Sequence, residues 1–185
     1  MRRRRFDQVT SIGGLVIAIV LGVSGVLLLW GGNFAHGTVS EELTSQRIAF
    51  SAEAESLPPE LQSFAGIPVV DGPTAKAYAD LINVHLSGIA GGQTYSEVSE
   101  AWIAGGRTDD ELAGQRMTLF MGESLRGMLL NAYAFWTIGT IAIAAAWFAF
   151  LAAAIMFVLS ALGFVHMGRT SENELMFETK TPARI

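Results

Sequence analysis

The chain has no cysteine. That excludes a disulfide framework, a thiolate zinc site, a cysteine nucleophile and a cysteine-linked lipid anchor. Charge is also scarce. Of the 185 residues, 16% are Asp, Glu, Lys or Arg, against about 25% in soluble domains. The net charge of −5 argues against a nucleic-acid partner, which would favour a basic surface. Histidine occurs three times, at His36, His85 and His166. No two of them are at ligand spacing such as H-x-x-x-H, and none has a carboxylate beside it in a metal pattern. There is no G-x-x-x-x-G-K, no G-x-S-x-G and no placed Ser/His/Asp set. No cofactor or catalytic residue is therefore expected, and a non-enzymatic protein is.

What remains is apolar. The hydrophobic share is 51% and the mean hydropathy is +0.40. Two stretches carry no charge at all, 8–33 and 127–165. Within the first, Val9 to Trp30 would make about 33 Å of helix, enough for a hydrocarbon core of about 30 Å. The second would reach about 58 Å, so one end of it should stand outside the bilayer. Tyr133, Phe135 and Trp136 form one interfacial belt, and Phe164 with His166 forms the other. The spanning part is then 137–163, with the excess before Trp136.

The fold class expected is an all-α membrane protein. Two transmembrane helices, 9–30 and 137–163, flank a small helical extracytoplasmic domain over 31–136, and the second span continues a stalk helix over 109–136. Arg2, Arg3, Arg4 and Arg5 precede the first span in a basic N-terminus of residues 1–8. Arg169, Lys180 and Arg184 follow the second, in a tail over 164–185. Between them, 31–130 carries five basic and thirteen acidic residues, a formal charge of −8. Both termini should be cytoplasmic in the cell (plasma) membrane, and the protein multi-pass. A cleaved signal peptide is the rival reading of the first span. Its apolar run exceeds the usual 7–15 residues or so, and no A-x-A site follows. The arginine run before Phe6 also looks like a twin-arginine signal, although such runs more often only set topology.

Three capping boxes punctuate the middle, at Thr38-Val39-Ser40-Glu41, Thr94-Tyr95-Ser96-Glu97 and Thr108-Asp109-Asp110-Glu111. Asp71-Gly72-Pro73 is a fourth helix start. That helix should stop at Gly91-Gly92 and the Thr94 helix at Gly105-Gly106. Tyr78, Leu81, Ile82, Leu86 and Ile89 share one face, and His85 lies at its edge as a partly buried side chain. Residues 48–70, with Pro58, Pro59 and Pro68, should be irregular apart from one turn at 60–64. On the stalk, Ala113, Met117, Phe120, Ser124 and Met128 form a mostly apolar stripe, with Arg116, Leu119, Glu123 and Arg126 on another face. Glycines in the stalk place a kink at Gly122 or Gly127.

The candidate functional positions are of three kinds. Small residues at interface spacing should pack the spans: Gly14, Ala18 and Gly22 on the first, and Gly139, Ala142, Ala146, Ala149 and Ala153 on the second, continued by Ser160 and Gly163. Near the membrane edge, Glu123 and Arg126 are placed to pair, and Asn131 to bridge to the other span. The four N-terminal arginines set topology. Neither span contains an ionisable residue, which argues against a transporter.

MRRRRFDQVTSIGGLV, GIAGGQTYSEVS and TLFMGESLRGMLLNAYAFW, the last followed by an alanine-rich span, resemble a family of small actinobacterial two-span membrane proteins. The resemblance covers nearly the whole chain and is most specific over 117–136. It implies two spans with an extracytoplasmic domain between them, and supplies no catalytic residue. Members are often labelled aromatic ring-opening dioxygenases, chemistry that needs an iron site. No His/Glu constellation here would form one.

Two functions compete on these grounds. The first is a structural or interaction subunit of the cell envelope. It packs through its small-residue faces in the lipid bilayer, as a homo-oligomer or in a larger membrane complex. The alternative is a membrane-tethered extracytoplasmic ligand-binding or sensing module, with a pocket lined by Tyr78, His85, Trp102 and Phe120.

Overall fold

The structure, a computed structural model, describes residues 3–169. Arg2, Lys180 and Arg184, and the tail beyond Arg169, lie outside the described residues. Of Arg3 and Arg4 only the helical backbone is described. Four α-helices follow in order: α1 (Arg3–Gln46), α2 (Gly72–Ile89), α3 (Tyr95–Ala104) and α4 (Asp110–Arg169). No strand occurs among the described residues. The chain divides into two compact units, one of residues up to Gly31 and from Ile141 onward, the other Gly32–Thr140. Both α1 and α4 are long and apolar enough to cross a membrane.

In the first unit α1 and α4 pack antiparallel. A Cβ at Gly14 would strike Ser160, one at Gly25 would lie 2.6 Å from the Phe150 ring, and one at Gly163 would strike Ser11. Helix backbones approach this closely only where side chains are minimal. In this unit the buried positions of α1 are Ser11, Gly14, Ala18 and Gly25, with Ser11, Ala18 and Gly25 seven residues apart. On α4 Ala146 and Ser160 are buried, with half-buried Ala153 midway between them. A seven-residue repeat is the 3.5 period of left-handed, coiled-coil-like packing. Of the expected face, Gly14 and Ala18 lie buried in this seam, while Gly22 has open space within 4 Å of its Cβ position. The outward faces carry Val9, Val16, Ile19, Val23, Phe148 and Leu151, all exposed.

In the second unit the core gathers Val39 and Leu43 of α1, Phe50, Leu57, Leu61 and Val69 of the connection, Ala75, Ala77, Ala79 and Leu81 of α2, and Leu129 of α4. A smaller cluster joins Leu86, Ala90, Val98 and Leu119. The first capping box does not act: α1 runs through Thr38–Glu41 to Gln46, since its apolar face, Val39 and Leu43, continues into the core. Residues 48–70 have one short helical segment, the 3₁₀ turn Pro59–Phe64, close to the turn expected, and another at Ala54–Ser56. Their ends are tied by Phe50 N–H to Ile67 O at 3.0 Å and Val69 N–H to Ile48 O at 2.9 Å. Phe50 fixes this clasp, its ring packed on Phe64 and Tyr78.

The other helix starts follow their chemistry. Asp71 caps α2, its Oδ1 accepting from Thr74 N–H at 2.8 Å. Thr94 and Glu97 close a reciprocal box on α3. The α2 and α3 stops at Gly92 and Gly106 use φ values of +84° and +76°, which glycine adopts without steric cost. At α4 the cap is Asp109, not Thr108: its Oδ1 accepts from Glu111 and Leu112 N–H. The α4 helix then continues unbroken through Gly114, Gly122, Gly127 and Gly139.

Candidate functional site

Three places in the second unit bring chemistry-bearing residues together. The first is a ring stack on α1 and α4. His36 lies on Trp136 with ring centroids 3.9 Å apart and planes 6° from parallel. Its Nε2 is 3.0 Å from both Trp136 O and Thr140 Oγ1. The Thr140 hydroxyl donates to the same carbonyl, and a carbonyl only accepts, so Nε2 carries the proton and donates. A Cβ at Gly139 would lie 2.7 Å from the His36 ring and 3.0 Å from Gly32 O. Gly72 at the start of α2 also abuts the Trp136 side chain. Three elements therefore meet at one indole.

The second place is built on Arg116 of α4. Its guanidinium lies 4.7 Å from the Trp102 ring centre and 5.7 Å from that of Tyr95, and Nε donates to Ser99 Oγ at 3.1 Å. Arg107 covers Trp102 at 5.9 Å. Hydrogen bonds from Ser99 and then Arg116 hold the Tyr95 hydroxyl below its ordinary pKa. Tyr95 also touches Phe120, at 5.8 Å. These contacts latch α3 to α4, and Tyr95, Arg116, Met117 and Phe120 line an open hollow of about 210 Å³ beside the latch.

The third place is an apolar groove between the last turns of α1 and the middle of α4. Its volume is about 570 Å³. Phe34, Ala35, Phe135 and Ile138 line one end, Val39, Met128 and Leu129 the middle, and Glu42, Gln46 and Leu125 the other end. Sequence reasoning did not find it, because it forms only where α1 continues past the box at Thr38.

The expected site residues fall as follows. Gly139 and Ala146 are buried, and Ala142, Ala149 and Ala153 are half-buried. Ala18 is buried and lines the same cleft as Ala153. Glu123 and Arg126 pair at 3.1 Å. Asn131 is exposed on the groove wall and makes no bridge to α1 among the described residues. Arg5 is exposed. The four residues expected to line a pocket are dispersed. Tyr78 packs in the core with Phe50, Trp102 and Phe120 belong to the α3 latch, and His85 is exposed rather than partly buried. The stalk stripe is also reassigned. Met117, Phe120 and Met128 are exposed, while the face with Leu119 and Gly122 packs, the latter against Leu86. Among the described residues, no three His, Asp or Glu side chains are grouped to hold a metal ion.

Comparison with protein-family models, with curated proteins and with solved structures found no match to this chain.

Proposed function

We propose that the chain is a non-enzymatic integral membrane protein of the cell envelope, acting as a structural or interaction subunit. The observation that carries this reading is the state of its apolar surface. The most apolar windows of α1 and α4 are only 17% and 6% buried. A core helix of a water-soluble protein buries its apolar face. Here the side chains of both helices need lipid around them. The first span is kept in the mature protein on this reading, since Ser11, Gly14 and Gly25 pack closely on α4.

The four N-terminal arginines and the −8 charge of residues 31–130 support cytoplasmic termini and an extracytoplasmic middle. The outer part of α4, 109–136, is then a stalk. Gly14, Ala18 and Gly25 pack α1 on α4, and Gly22 is left open. Partner contact falls to the exposed Met117, Phe120 and Met121 of the stalk, adaptable side chains suited to a helix surface. That partner is a second copy or another membrane protein.

Purification of the tagged full chain from native membranes in mild detergent tests the proposal. A stoichiometric partner cross-linked at Met117 or Met121, and lost on Met121→Glu, is expected. A lone monomer that cross-links to nothing overturns it.

A further inference from the structure

We infer that the groove between α1 and α4 holds the acyl chain of a lipid drawn up from the leaflet on its own side of the membrane. This rests on the membrane reading above. The length fits. From Phe34 to Gln46 the α1 wall is thirteen residues, about 18 Å of helix, and one leaflet's chains fill about half of a 30 Å core. The chemistry is graded along that length. Phe34, Ala35, Phe135 and Ile138 make one end wholly apolar, Thr38 and Asn131 add polar atoms along the wall, and at the other end Glu42 and Gln46 stand beside Leu125 and Ile48. Phe34 is four residues beyond Trp30, the end of the apolar run, so the apolar end lies next to the bilayer. A chain lying along Val39 and Met128 then points its tail towards Ile138 and its head towards Glu42. Glu42 is the one ionisable residue lining the groove. It favours a head group bearing an ammonium, such as ethanolamine, over an anionic one. Apolar walls with a few polar groups are the usual make-up of a small-molecule site, and the volume of about 570 Å³ lies in the usual range for one.

The full chain reconstituted in vesicles of phosphatidylethanolamine and phosphatidylglycerol gives the test. Each lipid in turn carries a photoactivatable diazirine on its acyl chain, and labelled peptides are mapped by mass spectrometry. Labelling of 34–48 and 125–138 by the ethanolamine probe is expected, about fivefold above the glycerol probe, the effect of one favourable charge pair near a surface. Glu42→Lys, at an exposed position, should invert that preference. Ala35→Trp should fill the groove and cut its labelling at least about fivefold, with labelling of 9–30 and 141–163 unchanged. Should that variant lose the span pattern, it has misfolded and Glu42→Lys decides. Labelled spans with an unlabelled groove overturn the lipid site alone. So does groove labelling that appears only after a co-purifying protein is stripped away. Unlabelled spans overturn the membrane reading itself.

Discussion

His36 and Trp136 lie face to face, 3.9 Å apart and 6° from parallel, a hundred residues apart in sequence. The histidine approaches because Gly139 presents no side chain, and Gly72 of α2 abuts the same indole. Gly72→Ala puts a methyl into the Trp136 ring and should destabilise the second unit by about 1–3 kcal/mol, the usual cost of overpacking. His36→Ala removes the stack and its donated hydrogen bond, costing about 1 kcal/mol. Thermal unfolding of the full chain in detergent, followed by Trp fluorescence, checks both. An unchanged midpoint in Gly72→Ala would show that α2 does not dock there.

The seam between the spans separates two neighbouring glycines. A Cβ at Gly25 meets the Phe150 ring, and one at Gly22 meets nothing within 4 Å. Gly25→Ile should therefore force α1 and α4 apart and weaken their association by on the order of 1 kcal/mol or more. Gly22→Ile should be nearly silent. Resonance transfer between labels at Ile12 and Leu162 reads the difference. Equal effects of the two substitutions would put Gly22 in the seam with Gly14 and Ala18.

Uncharged length and helix-start chemistry act over a few residues, so both apolar helices, the Asp71 and Thr94 starts and the glycine stops can be read directly. The seam was readable only in part. On α1 the spacings of four and seven share Ala18, and only the partner helix decides between them. The box at Thr38 has the right letters, but the apolar contacts of Val39 and Leu43 outweigh a local cap. The His36 stack, the groove and the Arg116 latch depend on how segments far apart in sequence meet. No local pattern encodes that meeting. His36 facing the Trp136 belt would have been a signal only with the antiparallel register in hand.

The latch of α3 rests on Arg116. Arg116→Leu removes the hydrogen bond to Ser99 and the stacking on Trp102, worth about 0.5–1 kcal/mol for the cation–π contact at a partly exposed site. Lysine should not restore it, because it lacks the planar guanidinium. With Arg116 gone, Tyr95 loses one of the contacts that lower its pKa, and its titration should move upward towards about 10. Ultraviolet difference titration against a Tyr95→Phe control measures this. A Tyr95 titration identical in the variant would place Arg116 elsewhere.

The cap of α3 gives a pH dependence with a definite sign. The Thr94 backbone N–H, and then its hydroxyl, hold the Glu97 carboxyl below its ordinary value. A depressed carboxylate contributes stability that is present above the unfolded value, about 4.3, and is lost as pH falls through the folded one. Protection of the first α3 amides in hydrogen exchange should fall across that window in the native chain. In Glu97→Gln the fall should be shallower, when both are compared at each pH. The same acid slope in both would assign the loss to another carboxylate.

The proposed topology rests on the arginine cluster and the acidic middle. An alkaline phosphatase reporter inserted after Gly92 should be active and one fused after Ile185 inactive. The reverse pattern would invert the orientation. Recovery of a soluble fragment beginning near His36 would mean that α1 is cut away.

On the proposed topology, the part of α4 before Trp136 lies outside the bilayer. Each glycine in an exposed helix costs about 1 kcal/mol relative to alanine, so Gly114, Gly122 and Gly127 are the places where a stalk would bend. Gly122 is not spent on flexibility. Its missing side chain lets Leu86 of α2 lie against α4, where Leu119 is buried beside it. Leu129, one face further along, is held in the main core. Packing therefore fixes the helix on both sides of Gly127, and the Glu123–Arg126 pair adds one more turn-to-turn tie. Spin labels at Gln115 and Thr137, 22 residues apart, should lie about 33 Å apart with a narrow distribution. Gly122→Leu should displace α2 by colliding with Leu86, yet leave that distance unchanged, since leucine is the better helix former. A broad distribution in the native chain, narrowed by Gly122→Ala, would make Gly122 a hinge and end the rigid-stalk reading.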